Sequence, residues 1–154
     1  MESRVDRAEA NFREGYNCAQ SVFLAYADIA GIDRATALKL TSALGAGFGK
    51  LREVCGAVSG MTLMAGLLEG YTDSEDRENK IKVYHKTQEM AAEFKKRQGS
   101  IICREILNLK EGEDQAEPSV RTKEYYEDRP CLKAIRDAAQ IIEEMLLTNQ
   151  SPVL

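Results

Sequence analysis

The sequence predicts an all-α fold, a single-domain helical bundle of about six or seven helices over residues 1–154. Two observations carry this. No segment alternates apolar and polar residues with period two. Instead, glycines and capping residues cut the chain into stretches whose apolar residues recur at helical spacing. The composition agrees: three prolines, no tryptophan and few β-branched runs. A chain of 154 residues, 44% hydrophobic and 30% charged, is long enough to bury one sizeable core and is neither disordered nor fibrous.

The first predicted helix covers 5–14 and stops at Gly15. Asn17 is a good N-cap for the second, which carries Val22, Phe23, Tyr26 and Ile29 before Gly31 ends it. Asp33 caps a third, with Ala37, Leu40 and Leu44 on one face. Gly45-Ala46-Gly47-Phe48-Gly49 follows, and three alternating glycines do not suit a helix interior. A left-handed or flexible connector is expected there. The fourth helix, 54–69, is rich in small and apolar residues. The longest, 74–98, opens with an acidic turn that suits the positive end of the helix dipole and presents Val83, Thr87, Met90 and Phe94 as a narrow stripe. Ser100 is read as the cap of a short sixth helix ending near Leu109. An acidic loop, 111–118, links it to a brief helical segment at 123–126. The last helix begins at Arg129-Pro130-Cys131, with proline in its first turn, and carries Leu132, Ile135, Ala139, Ile142 and Leu146 as a core stripe.

A net charge of -4 argues against nucleic acid as the main partner. The N-terminus is charged from its second residue and has no apolar signal region, so a cytoplasmic location is expected. The uncharged run 54–68 is too short to span a bilayer, and Glu53 and Glu69 close its ends, so no membrane insertion is expected.

Function is sought in the four cysteines, Cys18, Cys55, Cys103 and Cys131. They are scattered, with no CxxC pair, which sets aside zinc-ribbon, zinc-finger and thioredoxin patterns. In a reducing compartment, structural disulfides are disfavoured; inert buried thiols, metal ligands and redox-active thiols remain. Each cysteine falls in or beside the first turn of a predicted helix, where unpaired N–H groups and the dipole favour thiolate. Arg52, Arg104 and Arg129 are close in sequence to three of them.

Cys55-Gly56-Ala57-Val58-Ser59-Gly60 reads as CGAxxG. With Cys18 before it and Cys103 and Cys131 after it, the chain resembles the C_GCAxxG_C_C family of small four-cysteine proteins. That resemblance implies a redox-type function. A similar domain accompanies the haem region of split-Soret cytochromes, where it holds an iron–sulfur cluster, which makes all four cysteines ligand candidates here. The chain has no CxxCH and only one histidine, His85, so covalent haem is excluded. The motif also has a physical reading. Gly56 and Gly60 share one helical face with Ala57 beside them, so a second backbone or a bulky cluster can approach closely. Gly47 and Gly49 are the expected shapers of the connector that positions Cys55.

Three functions compete. The leading reading gathers the four thiolates around a metal centre for electron transfer or redox sensing, with a 2Fe–2S cluster ahead of a closed zinc site. Alternatively, metal-free thiols cycle through disulfides. Or the chain is a helical interaction module, with the last helix serving a homodimer interface. The redox partner is not legible. Gly45 to Lys50 lacks the spacing and the Ser or Thr of a phosphate-binding loop. His85 is expected on the surface or in packing, the acidic loop 111–118 is a solvated loop or a lid over the site, and Tyr125 and Tyr126 are core or site wall.

Overall fold

A computed structural model describes residues 2–109 and 117–148 of the chain, and among these the fold is all-α. Helix α1 (Val5–Arg13) ends one residue before Glu14 and the turn at Gly15. Helix α2 (Cys18–Tyr26) starts on a full capping box. The Asn17 side chain accepts from the Gln20 N–H at 2.8 Å, and the Gln20 side chain accepts from the Asn17 N–H at 3.1 Å. A 3₁₀ turn (Ala27–Ala30) tightens its end before left-handed Gly31. Val22, Phe23 and Tyr26 are fully buried.

Helix α3 (Arg34–Thr41) is capped by Asp33 and runs into a 3₁₀ turn (Ser42–Leu44). The expected apolar face is only partly real: Ala37 is buried, but Leu40 is 50% exposed. Helix α4 (Gly45–Phe48) is a single turn of the wrong hand, with Ala46 through Lys50 all at φ between +55° and +74°. Three of these five are not glycine. A left-handed conformation costs an L-residue roughly 1–2 kcal/mol, so the surroundings must hold this turn in place.

Helix α5 (Gly56–Glu69) begins two residues later than the apolar run suggested, because Val54 is drawn into an antiparallel bridge with Ile102. Helix α6 (Arg77–Gln98) is capped by Asp76, so the acidic residues before it form a turn, not helix. It buries Val83, Met90 and Phe94, and His85 is exposed. The sixth predicted helix shrinks to one turn, α7 (Cys103–Ile106), entered from Ile102. Ser100 instead accepts from the Ile102 N–H at 2.9 Å and holds the preceding bend. Helix α8 (Lys123–Asp128) matches the brief segment expected there. Pro130 flanks α9 (Cys131–Ile142) as its N-cap and does not sit in its first turn. A wider π-turn (Glu143–Leu147) continues it. Most of the acidic loop, and with it the lid expectation, lies outside the described residues.

One core unites α1, α2, α5, α6 and α9. Helix α9 buries Ile135, Ala138, Ala139, Ile141 and Ile142 inside the chain, so its strongest stripe faces the chain's own core. The tightest helix pair is α2 against α5. A Cβ on Gly56 would lie 3.0 Å from the Ala19 nitrogen, and one on Gly60 2.9 Å from the Ala19 carbonyl oxygen. The backbone that approaches this small-residue face is α2 itself. Burial of Tyr26 is completed by its hydroxyl, which donates to the Ala139 carbonyl at 3.1 Å and to Glu143.

Candidate four-cysteine site

Three cysteines occupy the first position of a helix: Cys18 of α2, Cys103 of α7 and Cys131 of α9. Cys55 is the N-cap of α5. All four line one half-open cavity of about 270 Å³. Local signals account for part of this. The Asn17–Gln20 box fixes where α2 starts, and Pro130 fixes where α9 starts.

Cys55 and Cys103 are joined by a feature the sequence did not advertise. The Cys55 N–H donates to the Ile101 carbonyl at 2.8 Å, the Cys103 N–H to the Glu53 carbonyl at 2.6 Å, and the Arg104 N–H to the Arg52 carbonyl at 3.0 Å. This two-segment strap ties the entrance of α5 to that of α7. The left-handed turn packs against it, with the Glu53 N–H donating to the Gly47 carbonyl at 2.8 Å. At Gly47 there is no room for a side chain: a Cβ would meet the Cys103 Cβ at 2.6 Å and the Arg52 Cα at 2.7 Å. Gly49 acts differently, since its nearest neighbour would be 3.6 Å away and only its φ of +57° favours glycine. Gly45 also shapes the site, because a Cβ there would strike the Asn17 side chain at 2.3 Å. Gly56 lets α5 approach Cys18, whose Cβ would be 3.1 Å from a Cβ at that position. Ala57 is fully buried in the core beneath.

The thiols are not equivalent. The neighbouring Cys131 sulfur holds the Cys18 proton on and pushes Cys18 well above the ordinary thiol range, with burial adding to the effect. The same neighbour effect lowers Cys131, and Arg129, Arg52 and Arg121 lower it further against the cost of burial. Burial pushes Cys55 up to about 12, despite opposing N–H groups from Ala57 and Val58. It also raises Cys103, although the Arg52 Nη1 lies 3.6 Å from its sulfur. The expectation that helix starts would favour thiolate at every cysteine is therefore corrected. Desolvation outweighs the N–H groups of the helix terminus at Cys55 and the Arg52 guanidinium at Cys103. Of the four, only Cys131 is lowered, and its neighbour Cys18 is raised.

The arginines also differ from their sequence positions. Arg52 precedes Cys55 but reaches Cys103, while Arg104 turns away to the Leu51 carbonyl at 3.3 Å. Arg121, which had no sequence signal, lines the cavity. Its Nη1 and Nη2 each donate at 3.0 Å, to the Phe12 and Tyr16 carbonyls, and its guanidinium lies 4.4 Å from the Phe12 ring centroid and 4.9 Å from that of Tyr125. Arg129 stacks on the same Tyr125 ring at 4.6 Å. Tyr125 is thus a site-wall residue, as expected.

Four thiols around one cavity are the donor set a thiolate-ligated cluster uses, so the residues present fit such a group in kind. Among the described residues, no three His, Cys, Asp or Glu side chains are placed to hold a single metal ion. No helix among them is long and apolar enough to cross a membrane.

An all-α scaffold delivers four cysteines to one cavity. The family model described as "Putative redox-active protein (C_GCAxxG_C_C)" matches residues 16–145, and the chain belongs to that family. No curated protein and no solved structure matches the chain.

Proposed function

We propose that the protein carries out thiol–disulfide redox chemistry, with Cys131 as the attacking thiolate and Cys18 as the resolving thiol. The observation that carries this reading is that Cys18 and Cys131, the first residues of α2 and α9, line one cavity as neighbouring thiols that shift each other in opposite directions. A thiolate held beside a second thiol is the arrangement in which oxidation of one is captured by the other. The test is stoichiometric oxidation of reduced, metal-free protein followed by peptide mass mapping. A Cys18–Cys131 bridge, abolished in Cys131→Ser, is expected; bridges confined to other pairs or between chains would overturn the assignment.

A second reading is favoured by the convergence of all four cysteines on one cavity. Here Cys18, Cys55, Cys103 and Cys131 hold a 2Fe–2S cluster, which would supply one-electron chemistry for electron transfer or redox sensing. Protein purified without oxygen would then be brown, with matched iron and acid-labile sulfide that Cys55→Ser removes. Stoichiometric zinc on colourless protein would point to a structural or regulatory metal site instead. Colourless, metal-free protein sinks both metal readings. Under either redox reading the partner is a separate electron donor or acceptor, and the setting is the reducing cytoplasm.

A further inference from the structure

Arg121 and Arg129 are both packed on the Tyr125 ring, 4.9 and 4.6 Å from its centroid, and both line the cavity that holds Cys131. Among the described residues neither is paired with a carboxylate. Two like charges held on one ring repel each other, and an anion placed between them relieves that repulsion. Arg121 is also rigid. Two of its five N–H donors are fixed on the Phe12 and Tyr16 carbonyls, and its central carbon sits 4.4 Å from the Phe12 ring centroid, so its remaining donors keep their direction. Such a guanidinium is preorganised for planar recognition of a carboxylate.

We propose that Arg121 and Arg129 form an anion clamp beside Cys131, and that the redox substrate is the disulfide of a small, carboxylate-bearing thiol. The cavity of about 270 Å³ suits a small molecule and is too confined for a protein disulfide presented on a folded surface. This rests on the thiol–disulfide reading above. The Cys131 thiolate attacks one substrate sulfur, forming a Cys131–substrate disulfide as the substrate S–S bond breaks and one substrate thiolate leaves. Cys18 then gives its proton to solvent and attacks the Cys131 sulfur, expelling the second substrate thiolate. The protein loses two electrons and ends with a Cys18–Cys131 disulfide. The substrate gains those electrons and ends as two thiols.

The experiment measures oxidation of reduced, metal-free protein by three small aliphatic disulfides of matched size: dithiodipropionate (anionic), bis(2-hydroxyethyl) disulfide (neutral) and cystamine (cationic). Each rate is divided by that reagent's rate with a free small thiol, which removes differences in intrinsic reactivity. The anionic reagent is expected to exceed the neutral one by roughly tenfold, with the cationic one slowest and the preference shrinking in high salt. Arg129→Gln, which gives up a ring contact on Tyr125 and a positive charge near Cys131, should lower the anionic-to-neutral ratio severalfold. Arg121→Gln should lower it as well, with folding checked by circular dichroism. A residue that only tunes the thiolate would slow all three reagents alike and leave the ratio unchanged. An anionic-to-neutral ratio near one in the unsubstituted protein, or a ratio unmoved in Arg129→Gln, overturns the clamp. Absence of any Cys131-dependent oxidation, by contrast, overturns the thiol–disulfide reading beneath it.

Discussion

Gly47 and Cys103 are in contact across the cavity wall, where a Cβ on Gly47 would sit 2.6 Å from the Cys103 Cβ and 2.7 Å from the Arg52 Cα. The left-handed turn thus sets the position of a site cysteine and of the arginine facing it. Gly47→Ala must shift backbone at a position that also prefers glycine by its φ of +71°. A destabilisation of about 2–4 kcal/mol is expected, combining the conformational cost with overpacking. Gly49→Ala meets only the conformational cost, since its Cβ has room, and should lose about 1 kcal/mol. Urea denaturation of the two variants measures the difference. Equal losses would mean that the Cys103 contact yields easily.

Cys131 should be the first thiol to react. Its rate of alkylation by a neutral reagent, followed by peptide mass mapping of reduced metal-free protein, is expected to rise with a midpoint of about 7. Cys55, pushed up to about 12 and only 6% exposed, should stay unmodified in the native state. Cys18→Ala removes the neighbouring thiol and should move the Cys131 midpoint upward towards the ordinary value near 9. A Cys131 midpoint near 9 in the unsubstituted protein would remove the basis for its assignment as nucleophile.

The features legible in the sequence were those set locally. Asn17 and Pro130 mark helix starts within a few residues of themselves, so the N-terminal positions of Cys18 and Cys131 are readable from local sequence. The alternating glycines from Gly45 to Gly49 announced a connector that is not an ordinary helix. The strap linking Cys55 to Cys103 was illegible because it is a short backbone pairing between distant segments, with no alternation long enough to signal a strand. Arg52 misled for a related reason. It is close to Cys55 in sequence, but the strap and its positive φ of +61° turn it towards Cys103. Arg121 carries no local mark, since the carbonyls that orient it belong to Phe12 and Tyr16, at the opposite end of the chain. The thiol ranking also needed the fold, because burial decides the sign at Cys55 and Cys103.

Alkaline pH should weaken the fold through Cys55. Its folded pKa is raised from about 9 to about 12, so between those values the folded protein keeps a proton that the unfolded chain has lost. Stability from this group is complete below pH 9 and is lost as pH rises towards 12, by an amount on the order of a few kcal/mol. Tyr26, raised by burial and its bond to Glu143, acts in the same direction at still higher pH. Urea midpoints of reduced protein from pH 8 to 11 should fall in this window. Cys55→Ala should flatten part of that fall, whatever it does to stability at pH 8. An unchanged slope would show that Cys55 does not carry it.

Two glycines of α5 should respond oppositely to the same substitution. Gly60 faces α2, where a Cβ would lie 2.9 Å from the Ala19 carbonyl oxygen and 3.3 Å from the Val22 Cβ. Gly66, also within α5, has nothing within 4 Å of a Cβ. Gly66→Ala should therefore stabilise the protein by about 0.5–1 kcal/mol, through the backbone entropy glycine loses in a helix. Gly60→Ala gains the same propensity but must separate α2 from α5, so a net loss of about 1–2 kcal/mol is expected. Because α2 carries Cys18, Gly60→Ala should also loosen the Cys18–Cys131 contact and raise the alkylation midpoint of Cys131, which Gly66→Ala leaves in place. If Gly60→Ala stabilises as much as Gly66→Ala, the close approach of the two helices is not the reason for glycine in the motif, and the space in front of Gly60 must be explained in another way.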